Sequence, residues 1–493
     1  MGLPSISRTS FLREFGAALQ AGRGALFVGA GASMPSGYAS WASLLAPLAQ
    51  ELRLDIKRES DLIALAQYVA NQRGGRGYIN QHLVNEFARS AKPSQTHELL
   101  AKLPVRAIWT TNYDHLLEDA LRAIGKRVDV KQSEHNLAVT VPQSDVSLYK
   151  MHGDVQHPDR AILLKEDYED YAQKHPGFSA QLSSALTSHV FLFIGFSFTD
   201  PNIDYFLAQL RTAMGSHRSE HYWVTASPQE PGASATTEER DAYEYAINKL
   251  TARIIDLKRY GIQTVLIRDY KIDLPQLLKT LDWKSRSNNV FVSGSAALFD
   301  PLGATNLEAL CASVGRGISE RSQHLLSAIG ANIGRWVAMN ALEACVARND
   351  TDFSKHLTLR QFSGFSPSKL AKEDFEKKVR LELLSRSGFA IFISGNKSPP
   401  TGATIDISDG VMEEFKLATK LSVYPIPIGS SGYAAKEIWA RVDKDFATYF
   451  PGLDHDALRK PFEELNHSHD IKVLEKAVFG LMDLVRKKVL DLE

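Results

Sequence analysis

The stretch Leu26-Phe27-Val28-Gly29-Ala30-Gly31-Ala32-Ser33 passes from an apolar run into a turn that contains two glycines. A short apolar run that ends in glycine is typical of a buried strand leading into a loop. The same change recurs at Trp109-Thr110-Thr111-Asn112-Tyr113-Asp114, Tyr149-Lys150-Met151-His152-Gly153-Asp154 and Phe193-Ile194-Gly195-Phe196-Ser197. Because α/β proteins bind ligands where their strands end, the four junctions predict one nucleotide pocket.

Strand-like and helical patterns alternate through residues 1–283. Strand-like runs lie at Ala25–Val28, Ala107–Trp109, Val146–Met151, Val190–Gly195, His221–Thr225 and Ile262–Ile267. Residues 41–103 are helical in pattern throughout, which predicts a helical insertion after the first strand. The alternation predicts a mainly parallel sheet covered by helices.

The polar segment 284–289 lacks periodicity and is predicted to be a linker. After it the pattern restarts with a strand at Val290–Val292 and a glycine turn, so residues 290–493 predict a second, smaller α/β domain. A chain of 493 residues exceeds what one hydrophobic core usually supports. The predicted fold class is therefore α/β, with two Rossmann-like domains at 1–283 and 290–493.

Composition excludes several functional classes. Lys plus Arg equals Asp plus Glu, 57 each, so no basic excess indicates a nucleic acid or an anionic membrane as partner. Cys311 and Cys345 lie in helix-like apolar patterns and no CxxC occurs, which favours free thiols over a disulfide or a zinc site. Neither a leader nor an apolar stretch of about twenty residues is found, so we expect a cytoplasmic protein without a metal.

The glycine turn after the first strand is a candidate for diphosphate contact. Gly29 and Gly31 can bring backbone N–H groups close to phosphates, and Ala30 and Ser33 belong to the same loop. The full GxGxxG pattern is absent, so a tight turn without a ligand is an equal alternative. The Gly195 and Ser197 positions are predicted to line the same pocket.

Two polar residues in the second junction have competing interpretations. Asn112 can bind a ribose hydroxyl or hold a water molecule, or it can form an Asx turn or a helix N-cap. Asp114 suits the N-cap of the helix that starts near His115, with ligand contact as the alternative.

His152 is the candidate proton acceptor. Imidazole titrates near physiological pH and can take a proton from a ribose hydroxyl or from water. An isolated histidine is usually structural, but Gly153 opens space beside this ring and favours a functional role.

The sequence contains no GxSxG elbow, HExxH helix or P-loop. One reaction needs none of these. When the bond between nicotinamide and ribose breaks, the leaving base is neutral and requires no general acid. An asparagine and a histidine are sufficient for that chemistry.

The four junctions together resemble the sirtuin-like domains of bacterial defence proteins, over residues 10–280. The resemblance implies NAD as the substrate, with Asn112 and His152 as catalytic residues and His152 as the proton acceptor. The four-cysteine zinc module of deacetylating sirtuins is absent, which disfavours deacylation and favours NAD hydrolysis.

The C-terminal half resembles a SLOG domain in Val290-Phe291-Val292-Ser293-Gly294-Ser295-Ala296, Gly395-Asn396-Lys397 and Gly410-Val411-Met412-Glu413-Glu414-Phe415. A sirtuin-like domain followed by SLOG is the arrangement of Thoeris anti-phage defence effectors. This implies that a cyclic ADP-ribose isomer, made by a TIR-domain partner, binds the SLOG domain and activates the NADase. The resemblance places Arg380, Lys397 and Glu414 in contact with the activator and Ser293, Gly294 and Ser295 near its phosphates. From the residues alone, a surface arginine, a loop lysine and a helix-face glutamate are the alternatives.

The sequence therefore predicts an NAD⁺ glycohydrolase that releases nicotinamide and ADP-ribose and depletes cellular NAD in abortive infection. We expect a homo-oligomer, a tetramer or larger, that the nucleotide signal switches on. The alternatives are NAD-dependent deacylation or ADP-ribosylation at the same pocket, and a non-catalytic nucleotide sensor.

Overall fold

The computed structural model describes residues 3–59, 61–87, 90–198, 203–204, 207–208, 211, 220–329, 332–361, 369–398 and 406–490, without the side chains of 369–371. The chain forms two compact units, Met1–Asp282 and Trp283–Glu493. Each unit contains a sheet of parallel strands, which confirms the predicted fold class.

The first sheet has seven strands in the order β3-β4-β2-β1-β5-β6-β7. They are β1 (Gly24–Val28), β2 (Ala107–Thr110), β3 (Val128–Lys131), β4 (Val146–Lys150), β5 (Val190–Ile194), β6 (His221–Ala226) and β7 (Ile262–Ile267). All five residues of β1 and all five of β5 are buried, as expected for central strands covered on both faces.

Helices of the first unit span Arg8–Gln20, Trp41–Glu51, Leu62–Arg73, Gly77–Phe87, Gln95–Lys102, Leu116–Ala123, Glu134–Leu137, Lys165–Glu169, Tyr171–Lys174, Pro176–Ser188, Thr237–Lys258 and Asp273–Arg286. Short 3-10 turns lie at Ala30–Ala32, Met34–Ser36 and Pro158–Arg160. The four helices between β1 and β2 are the predicted insertion. Local caps define the starts of the first two: Ser40 Oγ accepts from Ser43 N at 3.2 Å and Asp61 Oδ1 accepts from Ala64 N at 3.0 Å.

The second sheet has five parallel strands in the order β10-β9-β8-β11-β14. They are β8 (Asn289–Ser295), β9 (His324–Ala328), β10 (Leu357–Arg360), β11 (Phe389–Ser394) and β14 (Tyr424–Ile428), and β12 (Asn396–Lys397) pairs with β13 (Asp406–Ile407). Its helices span Ala304–Glu320, Ile333–Ala347, Lys369–Ser385, Asp409–Lys420, Tyr433–Lys444, Phe446–Tyr449, His455–His467 and Ile471–Leu490, with 3-10 turns at Phe353–Lys355 and Gly429–Ser431. One continuous apolar core packs around this sheet.

The predicted linker at 284–289 is wrong as a structural description. The helix Asp273–Arg286 continues through its first three residues and β8 begins at Asn289. Arg286 is 9% exposed and donates to the carbonyl oxygens of Ser387 and Leu421. The polar side chain of Arg286 therefore makes buried hydrogen bonds, and its polarity does not indicate a segment exposed to solvent.

Among the described residues, no helix has both the length and the apolar composition that a membrane crossing requires.

Candidate active site

Three of the four predicted junctions follow neighbouring strands, and the fourth follows the strand on the other side of β1. The strand order β4-β2-β1-β5 therefore places all four loops side by side at the carboxyl edge of the first sheet. The chain leaves β1 toward β2 and later returns to β5 on its other side, so this edge is a topological switch point. Ligands of open α/β sheets bind at such points.

The glycines of the first and fourth loops pack against each other. Gly31 N donates to Gly195 O at 2.9 Å, and Gly29 N donates to Ile194 O at 2.9 Å. A Cβ on Gly29 would lie 2.4 Å from Gly195 O. Gly195 has φ +64°, and a Cβ there would lie 2.4 Å from Ala32 N. Gly29 and Gly195 are therefore required by the contact between the two loops. Gly31 gives its N–H to the same contact, but it is exposed on its other side, as are Ala30 and Ser197.

Asn112 is 6% exposed and its side chain faces the loop after β1. Its Nδ2 donates to Gly29 O at 3.3 Å and to Ser33 Oγ at 3.1 Å, and its backbone N donates to Thr110 Oγ1 at 3.0 Å. Its Oδ1 is buried and, within the described part of the chain, has no hydrogen-bond partner. The side chain does not cap a helix, so the Asn112 amide oxygen is available to a donor from a ligand.

Asp114 accepts hydrogen bonds from two different elements. Its Oδ1 accepts from Leu116 N at 3.0 Å, at the start of the helix Leu116–Ala123, and its Oδ2 accepts from Ser33 Oγ at 2.7 Å. The residue assigned as N-cap is His115 rather than Asp114. Asp114 thus holds the helix start and the glycine loop together.

His152 is 3% exposed and lies between aromatic rings. Its ring meets Tyr168 edge-on at 5.5 Å between centroids and Tyr171 at 6.4 Å. Tyr171 OH donates to Met151 O at 3.0 Å, and Ile162 N donates to His152 O at 3.0 Å. The contacts hold the backbone and limit the rotation of the imidazole, as a proton acceptor of defined position requires.

The register of the sheet relates Asn112 to His152. Thr110 pairs with Lys150 in the β2–β4 ladder, and each candidate catalytic residue lies two positions beyond its member of that pair. The structure therefore places both side chains in adjacent loops.

A buried charge cluster lies beneath these loops, and the sequence-based site did not include it. Lys150 Nζ donates to Glu118 Oε1 at 3.0 Å and pairs with Asp154, whose Oδ1 lies 2.9 Å from His115 Nε2. Burial raises the pKa of Asp154, but the hydrogen bond with His115 and the charge of Lys150 outweigh it and lower the pKa to about 2. Burial raises the pKa of Glu118.

His115, Glu118 and Asp154 are close enough to share a metal ion, but the ammonium of Lys150 already bonds two of the three. One feature of the sequence indicates that Lys150 is buried. Side chains alternate between the two faces of a strand, and Lys150 shares the buried face of β4 with Val146 and Leu148.

A cleft of about 280 Å³ lies beside the loop that follows β4, on the β3 side of that strand. Its lining residues are Gln132, Ser133, His135, Asn136, Gly153, Asp154, His157 and Arg160. Gly153 has φ +83° and lines this cleft.

In the second unit, three of the predicted activator residues meet at the carboxyl edge of the sheet. Ser293 Oγ donates to Glu414 Oε2 at 2.5 Å, and Arg380 Nε lies 3.4 Å from Glu414 Oε1. Arg380 also pairs with Glu376 at 3.3 Å and Glu413 at 3.5 Å, two residues that sequence reasoning missed. Glu414 is 5% exposed, and burial raises the pKa of its carboxyl group.

The other three predicted activator residues have different surroundings. Lys397 is exposed and pairs with Asp409 at 2.5 Å, next to Gly410, where a Cβ would lie 3.1 Å from Arg380 Nη2. Ser295 Oγ donates to Asn396 O at 2.9 Å. Gly294 packs against β11, since a Cβ there would lie 2.3 Å from Ile393 O.

Asn396 was not predicted as a site residue, although it organises the loop after β8. Its Oδ1 accepts from Ala297 N at 2.7 Å and Leu298 N at 2.9 Å, and its Nδ2 donates to Leu298 O at 2.9 Å. It lies between Gly395 and Lys397, in one of the stretches that carry the SLOG resemblance.

Two family models match the chain, in the order that the sequence predicted. A SIR2-like domain matches residues 106–251, and the Sir2- and TIR-associating SLOG family matches residues 273–485. NAD(+) hydrolase ThsA of Bacillus cereus (strain MSX-D12) is 37% identical over 459 residues, which cover 93% of this chain and 94% of that protein. NAD(+) hydrolase ThsA of Acinetobacter baumannii (strain 532279) is 37% identical over 458 residues, with 92% and 94% coverage.

The chain belongs to the ThsA family.

ThsA membership confirms the predicted family and its domain order. A further relative is Defense-associated sirtuin 2 of Bacillus subtilis, which is 26% identical over 226 residues, 44% of this chain and 22% of that protein.

Proposed function

We propose that this ThsA-family chain hydrolyses NAD⁺ to nicotinamide and ADP-ribose in anti-phage defence. The family names support the activity. The single observation that carries it to particular atoms is the buried Asn112 Oδ1, which has no partner within the described residues. An amide oxygen buried in this way costs free energy until a donor reaches it. A ribose hydroxyl of NAD, or the attacking water, is such a donor.

NAD lies across the carboxyl edge of the first sheet, with its diphosphate against the exposed backbone of Ala30 and Gly31 and near Ser197. The bond between nicotinamide and ribose breaks toward an oxocarbenium-like sugar, and nicotinamide leaves as a neutral base. Asn112 orients the ribose or the nucleophile, and His152 accepts the proton that water or a ribose hydroxyl releases. Water gives ADP-ribose, and an internal hydroxyl gives a cyclised form.

Product analysis tests the reaction class. Full-length protein is incubated with NAD, with and without an acetyl-lysine peptide, and nicotinamide, ADP-ribose and any acetylated ADP-ribose are separated by chromatography. Release of nicotinamide that is independent of peptide supports hydrolysis. Release only with peptide, accompanied by acetyl transfer to ADP-ribose, would make the protein a deacylase.

We also propose that a cyclic ADP-ribose isomer from a TIR-domain partner binds the second unit and activates the enzyme. The family description, which associates this SLOG type with Sir2 and TIR domains, supports the proposal. The geometry supports it as well, because Arg380 suits phosphate oxygens and Glu414 suits a ribose hydroxyl. When an anionic ligand binds, its phosphate replaces the exposed carboxylate of Glu413 as a partner of the Arg380 guanidinium. Tighter binding to the active state then shifts the population toward it.

The gating experiment compares NAD loss with each of several cyclic ADP-ribose linkage isomers and with linear ADP-ribose. We expect one isomer to raise the rate and linear ADP-ribose to leave it low. Equal rates under all conditions would contradict gating. As part of the same proposal, the enzyme acts in the cytoplasm as a homo-oligomer, a tetramer or larger, without a metal.

A further inference from the structure

Lys150, the last residue of β4, has a fully buried side chain. Its Nζ donates to Asp114 O at 2.7 Å, Tyr113 O at 3.3 Å and Glu118 Oε1 at 3.0 Å, and it also bonds Asp154. An ammonium has three N–H groups, so four oxygen atoms saturate it.

These partners belong to the two loops that carry the candidate catalytic residues. Tyr113 and Asp114 directly follow Asn112, and Asp154 follows His152 by two positions. The β2–β4 ladder ends at the pair Thr110 and Lys150, with one further backbone hydrogen bond from Met151 N to Thr110 O at 3.1 Å. Lys150 extends the connection past that point, together with the 3.2 Å hydrogen bond from Val155 N to Tyr113 O and the contact of His115 Nε2 with Asp154 Oδ1 at 2.9 Å.

We propose that Lys150 is a positioning residue for NAD cleavage: its ammonium holds the loop of Asn112 and the loop of His152 in the relative arrangement that the reaction requires. The inference rests on the proposed function, since it names the group that aligns the two catalytic side chains. Lys150 is not a catalytic residue, because its bonds are to protein oxygen atoms beneath the loops.

The test distinguishes two effects of removing Lys150. One is loss of the link between the two loops, and the other is the cost of leaving buried carboxylates without a positive partner. Lys150→Met keeps the apolar stem but leaves the carboxylates of Glu118 and Asp154 without their ammonium, which is destabilising. The double variant Lys150→Met with Glu118→Gln removes one of these charges. It still lacks the hydrogen bonds from the ammonium to Tyr113 O and Asp114 O. If burial of charge alone mattered, the double variant would recover activity together with stability.

Lys131→Met is the matched control. Lys131 is also buried, pairs with Asp129 at 3.0 Å and donates to Asn136 O at 2.9 Å and to Val139 O. It lies on the edge strand β3, and the partners described for its ammonium, Asp129, Asn136 and Val139, are outside the loops of Asn112 and His152.

Steady-state kinetics of NAD loss and thermal midpoints are measured for full-length protein, with and without the cyclic ADP-ribose isomers. We expect kcat to fall about 100-fold in both Lys150 variants, as for reacting groups displaced by about 1 Å, with KM changed less than about threefold. The double variant regains thermal midpoint but not kcat, and Lys131→Met loses midpoint but keeps kcat.

A double variant with the kcat of wild type would overturn the positioning role, even if Lys150→Met alone fails to fold. So would an equal loss of kcat in Lys131→Met. Wild-type activity is measured first, and a wild type that never releases nicotinamide would overturn the proposed function and this inference with it.

Discussion

Ser33 and Asp114 join the loops after β1 and β2 through a buried hydrogen bond of 2.7 Å. The same Ser33 hydroxyl accepts from Asn112 Nδ2 at 3.1 Å. One serine therefore connects the glycine loop, the acid and the amide of the candidate active site. The arrangement explains how a short loop can present Asn112 in one orientation.

Ser33→Ala is expected to lower kcat/KM for NAD by roughly tenfold to a hundredfold, because two buried hydrogen bonds are lost and each is worth about 0.5–1.5 kcal/mol. The measurement is initial-rate NAD loss. Ser36→Ala in the same loop is the control, since its buried Oγ has no hydrogen-bond partner within the described structure. Similar kinetics for the two variants would refute the role given to Ser33.

Gly195→Ala is expected to destabilise the first unit and to reduce activity. The residue has φ +64°, and a Cβ there would meet Ala32 N at 2.4 Å. The left-handed backbone alone costs about 1–2 kcal/mol for a residue with a side chain. Thermal unfolding measures the effect. Gly77→Ala, where no atom lies within 4 Å of the added Cβ, should unfold at or above the wild-type temperature.

Arg380→Ala is expected to weaken binding of the activating cyclic ADP-ribose isomer at least about tenfold, because charge-assisted hydrogen bonds to phosphate are lost. Isothermal titration calorimetry on the full chain gives the Kd. Arg441→Ala serves for comparison, since Arg441 is exposed and pairs with Glu437 on its own helix. An unchanged Kd in Arg380→Ala would exclude this arginine from the activator site.

Glu414→Gln is expected to change the pH dependence of stability. Burial raises the pKa of Glu414 above its ordinary 4.5, so the folded state binds this proton more tightly than the unfolded state. The stabilisation is complete below pH 4.5 and is lost as the pH rises through the folded-state pKa.

Glutamine does not titrate. The thermal midpoint of Glu414→Gln minus that of wild type should therefore increase from pH 4.5 to pH 8. A difference that does not change with pH would show that the Glu414 carboxyl is not perturbed in solution.

The periodicity of apolar residues and the composition predicted both sheets, because the central strands are continuous apolar runs and the helices have apolar stripes. They missed β3, which has only four residues and lies at the sheet edge. They also missed the helix His455–His467, which contains Pro461, a residue that normally ends helices. In both cases tertiary packing outweighs the local signal.

The sequence could predict the candidate site residues that lie in a loop soon after a recognisable strand. Asn112 and His152 come two residues after a strand and Asp114 four residues after one, and the structure brings their loops to one edge. Lys150 was not chosen because a lysine usually indicates solvent, and only its partners show that it is buried. Glu376 joins Arg380 from one turn away on the same helix, a contact that requires side-chain positions.

The catalytic roles of Asn112 and His152 are tested most directly by nicotinamide release from NAD, measured for full-length wild type beside Asn112→Ala and His152→Ala with the activating isomer present. We expect a fall of about a hundredfold or more in each variant, with thermal midpoints near wild type, since general base catalysis alone contributes that much. A folded variant of either residue that releases nicotinamide at the wild-type rate would contradict it.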